Sequence, residues 1–281
     1  MSRIKNKSAT IYLGIALVIL FIAAACAGCT SSAQGATGTP TTTTSAVPQS
    51  ILVFAGAGLK APMPEIGPAF TEKYGITVEY NYAGSGTQIS QMNLTRKGDV
   101  FMPGSTNEWM IAKAQGLVDS YELVAYHVPV IVTQKGNPKN IQAVKDLAQP
   151  GLKVALGDAN ATAIGKVGAK MFKRQNITAA VEKNVVTRTP TINELVVIMK
   201  TGQADAAIVT LDNVRVDTNA ITIPVQENEI MVTPIGLTTY TGNDGAAAKF
   251  VAYVASDEGK AFFAKHGFPA YPDPAYADIN F

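Results

Sequence analysis

Five short turns hold the residues best placed to do chemistry in this chain. They are Ala55-Gly56-Ala57-Gly58, Ala83-Gly84-Ser85-Gly86-Thr87, Pro103-Gly104-Ser105-Thr106, Gly157-Asp158-Ala159-Asn160-Ala161-Thr162 and Thr210-Leu211-Asp212-Asn213. Each ends an apolar, strand-like run, and the first four open a helical pattern. Small residues let the backbone turn tightly and let another group approach it closely. What these turns offer is N–H and O–H donors with hardly any formal charge. A helix N-terminus adds unpaired N–H groups and a partial positive charge. Donors alone, converging from several turns, select a fully ionised oxyanion, which has only acceptors to give. A protonated phosphate also needs an acceptor from the protein. Each helix terminus contributes roughly 0.3–1 kcal/mol when exposed and up to about 2 when partly buried. Charge-assisted hydrogen bonds add to that, so tight binding does not require Lys or Arg.

Other chemistry is poorly supplied. There are two histidines, His127 in a long strand-like run and His266 at a helix end, where a cation complements the dipole. Neither sits in a nucleophile motif, and Gly84-Ser85-Gly86 is not GxSxG because residue 83 is Ala. A Ser–His hydrolase is therefore the weaker alternative. The folded part carries no HxxxH, no CxxC and no acidic calcium loop, and Gly84-Ser85-Gly86-Thr87 is too short for a P-loop. No cofactor is expected, and the metal-site expectation is none. No basic stripe or aromatic–basic interleaving points to nucleic acid.

The turns need a scaffold. The chain has 281 residues, 47% apolar, with a formal charge of +2, enough for one large domain or two lobes with separate cores. Residues 1–29 read as a targeting segment: Arg3, Lys5 and Lys7, an apolar run from Ile11 to Ala25, then small residues before Cys29. Cys26-Ala27-Gly28-Cys29 resembles a lipobox, with Cys26 where Leu is preferred, so Cys29 is the expected lipid attachment. The remainder has no cysteine and, without the basic leader, is close to neutral. Residues 30–50, rich in Ser, Thr, Ala, Gly and Pro, read as a flexible tether.

From Ile51 the grammar is α/β with a largely parallel sheet. Strands are expected at 51–55, 76–82 and 99–102, with helices over 62–73, 88–97 and 108–114. The run 121–133 is longer than one strand needs and passes to a second lobe. There, strands at 153–156, 184–188, 205–209 and 221–225 and helices over 141–148, 163–174 and 191–200 follow. A long strand over 229–239 returns the chain, and 245–266 forms one or two helices broken near Ser256-Asp257. In open α/β sheets, ligands bind at the carboxyl ends of strands, where these turns gather.

The segments LVFAGAGLK, YAGSGTQISQM, GDVFMPGSTNEWM, KVALGDANATAIGKVGAKMF and GQADAAIVTLDN, with a C-terminal SDEGKAFFAKHGF, resemble in order and spacing the molybdate-binding proteins of ABC importers. The resemblance covers about Ile51 to Pro269. It implies a two-lobed periplasmic-binding-protein fold of type II, with mostly parallel central sheets flanked by helices and two crossover strands. Lobe I would comprise 51–125 and 226–281, and lobe II 126–225, with hinges at Ala125–His127 and Pro224–Glu229. It implies no enzyme, but a monomer outside the cytoplasmic membrane that captures molybdate or tungstate and hands it to a membrane permease. Sulfate or another small anion is the alternative. Carried over by position, Gly58 stands where the family has a Ser. Ser85, with Gly86, matches the second-turn Ser, and Gly104 or Ser105 stands at the third turn. Ala161 and Thr162 align with the segment giving a backbone N–H, and Thr210 replaces a Tyr. The archaeal branch's two carboxylates fall at Thr162 and Val209, which implies simple tetrahedral binding.

Overall fold

The structure, a computed structural model, describes residues 49–214, 216–277 and 279. The leader, its lipid attachment at Cys29 and all but the end of the tether lie outside them. Among the described residues no helix is long and apolar enough to cross a membrane.

In chain order the elements are β1 (Ser50–Gly56), α1 (Met63–Tyr74), β2 (Thr77–Ala83), α2 (Ser85–Thr95), β3 (Val100–Met102), α3 (Thr106–Ala114), β4 (Glu122–His127) and β5 (Pro129–Gln134). Then come β6 (Val154–Gly157), α4 (Ala163–Arg174), α5 (Thr178–Glu182), β7 (Val185–Thr189), α6 (Ile192–Lys200) and β8 (Ala206–Thr210). The chain closes with β9 (Thr218–Thr222), β10 (Met231–Leu237), α7 (Asp244–Ala255) and α8 (Asp257–Lys265).

β1 shows why the sheets are wrapped on both faces. Its alternate residues Ile51, Val53 and Ala55 pack on one side with Ile66 and Phe70 of α1, Phe250 of α7 and Phe263 of α8. Leu52 and Phe54 pack on the other with Ile89 and Met92 of α2 and Trp109 of α3. A strand apolar on both faces is stable only when helices cover both. The first sheet runs β2-β1-β3-β10-β4 and the second β7-β6-β8-β5-β9. In each, three strands pair in parallel and two others join antiparallel. The second lobe has its own core, to which α4 contributes Met171 and Phe172 and α6 contributes Leu195 and Met199.

The run expected over 121–133 is two strands on different sheets. Tyr126 and His127 still pair with Val232 and Met231 of β10, so the crossing falls at Val128, beyond the expected boundary after Ala125. The return crossing lies between Thr222 and Met231. β9 begins at Thr218, three residues ahead of expectation, because the alternating Thr218–Thr222 segment forms the outer strand beside β5. The helix expected over 141–148 is a short 3-10 turn, Val144–Ala148.

α8 is tied to α1 by ion pairs: Lys265 Nζ to Glu65 Oε2 at 2.5 Å, His266 Nε2 to Glu65 Oε1 at 2.8 Å, and Lys73 Nζ to Glu258 Oε2 at 2.6 Å. Hydrogen bonds from Lys265 and then His266 hold the Glu65 carboxyl below its ordinary value of 4.5. A lowered folded value means stability that is present above the unfolded value and lost as pH falls through the folded one. Glu65→Gln is therefore expected to be less stable than wild type at neutral pH. The two should converge as the medium is acidified through the carboxylate range, read as urea midpoints at a series of pH values.

Candidate anion site in the interlobe cleft

The parallel-paired strands of both lobes point their carboxyl ends at one cleft. A cavity of about 40 Å³ lies there, lined by residues that include Gly58, Ser85, Gly104, Thr162 and Thr210, one from each of the five turns. That volume holds a few waters or one small anion, since a single water needs roughly 10–15 Å³ on this measure. The first residues of three helices face it: Ser85 of α2, Ala163 and Ile164 of α4, and Ile192 of α6. Their first-turn N–H groups have no intrahelical acceptor.

The turns are locked by their own hydrogen bonds, which decides which donors are spent. Ser85 is buried, and its Oγ accepts the Gly104 N–H at 3.0 Å. Its own hydroxyl hydrogen is left to donate. α2 begins at Ser85, three residues before the expected start, so Ser85 and Gly86 form its first turn. The Gly86 N–H is committed: it donates across the cleft to the Ala161 carbonyl at 3.0 Å. The Ala161 N–H donates to the Asp158 carbonyl at 3.2 Å. Thr162 caps α4: its Oγ1 accepts the Gly165 N–H at 3.0 Å and donates to the Asp158 carbonyl at 2.8 Å, while its N–H donates to the same carbonyl. Ala163 and Ile164, one and two residues later at the helix start, also line the cavity. Ser105 caps α3, and its hydroxyl donates to Glu108. It lines a neighbouring cleft of about 420 Å³ with Asn107, Glu108 and Lys166. Thr210 Oγ1 accepts from Asn213 Nδ2 at 3.0 Å. Gly58 has little room for the family's serine: a Cβ there would lie 3.2 Å from Ile192 Cγ2 and 3.5 Å from His127 Cε1.

Gln88 fastens two of the turns. Its buried amide donates to the Ala55 and Asn81 carbonyls at 2.8 and 2.9 Å, holding α2 against the ends of β1 and β2. Asn193 Nδ2 donates to the Ala57 carbonyl at 3.0 Å, from lobe II to the first turn of lobe I. A further cross-cleft tie is the ion pair of Lys166 Nζ with Glu108 Oε1 at 2.9 Å, the glutamate being 1% exposed.

Sequence reasoning missed His127, Ile192 and Met231 as lining residues. The signal for His127 was its place at the carboxyl end of β4, the position in the strand that the turns occupy elsewhere. Ser85 and His127 are not paired as nucleophile and base. Ser85 Oγ takes the Gly104 N–H, while His127 Nδ1 lies 3.2 Å from the Gly104 carbonyl. Among the described residues no group of three or more His, Cys, Asp or Glu is placed to hold a metal ion.

Since Thr162 spends both halves of its hydroxyl on capping, Thr162→Ala is expected to cost about 1 kcal/mol of stability. It should change oxyanion affinity far less than a change at Ser85. Urea denaturation and calorimetry on the same preparation check both.

Two mixed sheets of this strand order, joined by two crossings around an interlobe cavity, make the two-lobed fold of type II periplasmic binding proteins. The chain belongs to the bacterial extracellular solute-binding protein family, which matches residues 51–269. It is 29% identical over 230 residues to a Haemophilus influenzae binding protein, covering 81% of this chain and 94% of the relative. It is 28% identical over 225 residues to the molybdate-binding protein ModA of Mycobacterium tuberculosis, covering 78% and 84%. The solved structure of the sulfate-binding protein SubI from Mycobacterium tuberculosis superposes with a TM-score of 0.70 at 21% identity, covering 82% of this chain and 89% of that one.

Proposed function

We propose that this protein captures molybdate or tungstate in the interlobe cavity and delivers it, as a monomer, to an ABC permease in the membrane. The chain is held outside the cell or in the periplasm by a lipid on Cys29. One observation carries the reading: a residue from each of the five donor turns lines a single anion-sized cavity. The donors assigned to the anion are the Ser85 hydroxyl and the N–H groups of Gly58, Ser85, Ala163 and Ile164, with the Thr210 hydroxyl behind them. The resemblance to a molybdate-binding protein at 28% identity supports the choice of ligand. The lobes close about hinges at Val128 and within 223–230, where the chain changes sheets.

Sulfate is the second reading. It is favoured by Gly58 and Thr210, which lack the serine and tyrosine side chains of the molybdate family. Titration calorimetry of the mature chain with molybdate, tungstate and sulfate separates the two. Tightest binding of molybdate or tungstate supports the first reading, and preference for sulfate the second. Absence of heat with all three ends both.

A further inference from the structure

The one ionisable side chain on the cavity wall among the described residues is His127, at 4% exposure. Its Nδ1 lies 3.2 Å from the Gly104 carbonyl, which can only accept, so Nδ1 carries a hydrogen. In the neutral ring Nε2 is then a bare lone pair. Among the described residues that buried atom has no hydrogen-bond partner. The nearest acidic atom is Asp212 Oδ2 at 3.9 Å, in the turn after β8. A lone pair facing a carboxylate, beside a cavity built for an anion, is an arrangement that a proton relieves.

We propose that His127 is a specificity-determining residue of the anion site, and that the cavity takes up a dianion together with one proton held at His127 Nε2. This rests on the reading of the cavity as an oxyanion site. When protonated, Nε2–H becomes a donor and the ring a cation whose far edge stays fixed to Gly104. A dianion entering the cavity raises the ring's proton affinity, and by linkage the proton raises the affinity for the dianion to the same extent. A monohydrogen oxyanion delivers the same sum, its proton passing to the Nε2 lone pair as its O–H bond breaks. The site then takes the dianion or its monohydrogen form, whereas hydroxyl and amide donors alone select the fully ionised one.

The charged groups nearest the ring on the surrounding elements are engaged, and Glu122, at the far end of β4, is exposed. Glu108 pairs with Lys166 and Glu229 with Arg174. Glu65 pairs with Lys265 and His266 beyond Phe268, the residue whose ring stacks on His127 at 5.1 Å. Asp158 accepts from Asn160 N, Glu194 accepts from Thr191, and Lys60 lies over the Tyr82 ring. Asp212 accepts from Asn213 Nδ2 and is the group within 4 Å.

The sign follows from protonation of the bound form. Tight binding is fully present below the free ring's pKa and is lost as pH rises through the raised pKa of the complex. Between the two, one proton per anion weakens binding about tenfold per pH unit. The test is titration calorimetry with sulfate and with molybdate from about pH 5.5 to 8.5, across the histidine range, in two buffers of different ionisation enthalpy. The proteins are the wild type and His127→Gln, whose amide still donates to Gly104. Wild type is expected to take up close to one proton per anion and to weaken with pH. His127→Gln should bind more weakly at low pH, take up no proton and show no slope. Binding without proton uptake, or the same slope in both proteins, overturns the proposal while leaving the oxyanion reading intact. No heat with either anion at any pH removes the oxyanion reading itself. NMR of the His127 ring, with His266→Gln to free the spectrum, gives the same answer independently: its pKa should rise on addition of sulfate.

Discussion

Gly86→Val is expected to abolish tight anion binding while leaving the lobes folded. A Cβ at residue 86 would lie 2.1 Å from the carbonyl oxygen of Asn160, and at Gly84 another would lie 2.3 Å from that of Ala161. Both obstacles are backbone of the opposite lobe, which cannot rotate away as a side chain can. The start of α2 meets the turn before α4 this closely only because both positions lack a side chain. In the open form the same residue is harmless, since position 86 lies in the first turn of a helix with ordinary backbone angles. Gly86→Ala should even add up to about 1 kcal/mol to the helix, as alanine does over glycine. The expected signature therefore has opposite signs: thermal stability without ligand is unchanged or higher. Affinity falls at least a hundredfold, about 2.7 kcal/mol. Solution scattering with saturating anion should show the unliganded profile. Wild-type affinity in Gly86→Val would mean that the ligand does not bind between the closed lobes.

Ser85→Ala acts on the same cavity by a different route. Its Oγ accepts the Gly104 N–H and, among the described residues, is the one side-chain hydroxyl on the lobe I wall of the cavity. Alanine removes a charge-assisted hydrogen bond to the anion, roughly 1.5–3 kcal/mol, and strands the buried Gly104 N–H at about 1–3 kcal/mol. The first penalty falls on the complex; the second falls on free and bound protein alike. Affinity should drop between about tenfold and a hundredfold, with a smaller loss in urea midpoint. Ser85→Thr should recover part of the affinity. Unchanged affinity in Ser85→Ala would remove the second turn from the site.

What could be read without coordinates was the alternation of strand, polar turn and helix. The apolar runs Ile51–Ala55 and Ala206–Val209 and the helical spacing of Ile192, Leu195 and Met199 each have one stable way to be buried. The break at Ser256, whose side chain caps α8, was equally legible from residue type. Which hydrogens remain for a ligand was not legible. Thr162 and Ser105 are donors on paper, yet local bonds consume them: Thr162 caps α4, and the Ser105 hydroxyl donates to Glu108. Gly86 and Ala161 spend their N–H and C=O on each other across the cleft, a pairing that only tertiary packing sets. His127 was hidden for a similar reason. Nothing in YHVPVIV says which of two sheets each residue joins, so the side to which the ring turns could not be known until β4 was seen to end there.

The pairing of Glu108 with Lys166 bears on how the two lobes part. Both ions gave up hydration to meet, and in a buried pair the attraction regained seldom exceeds that loss by much. Swinging the halves apart returns each to bulk solvent, so this contact resists parting far less than an apolar seam of equal area would. What else holds the lobes together across the cleft is light: the Gly86 N–H on the Ala161 carbonyl and the Asn193 amide on the Ala57 carbonyl.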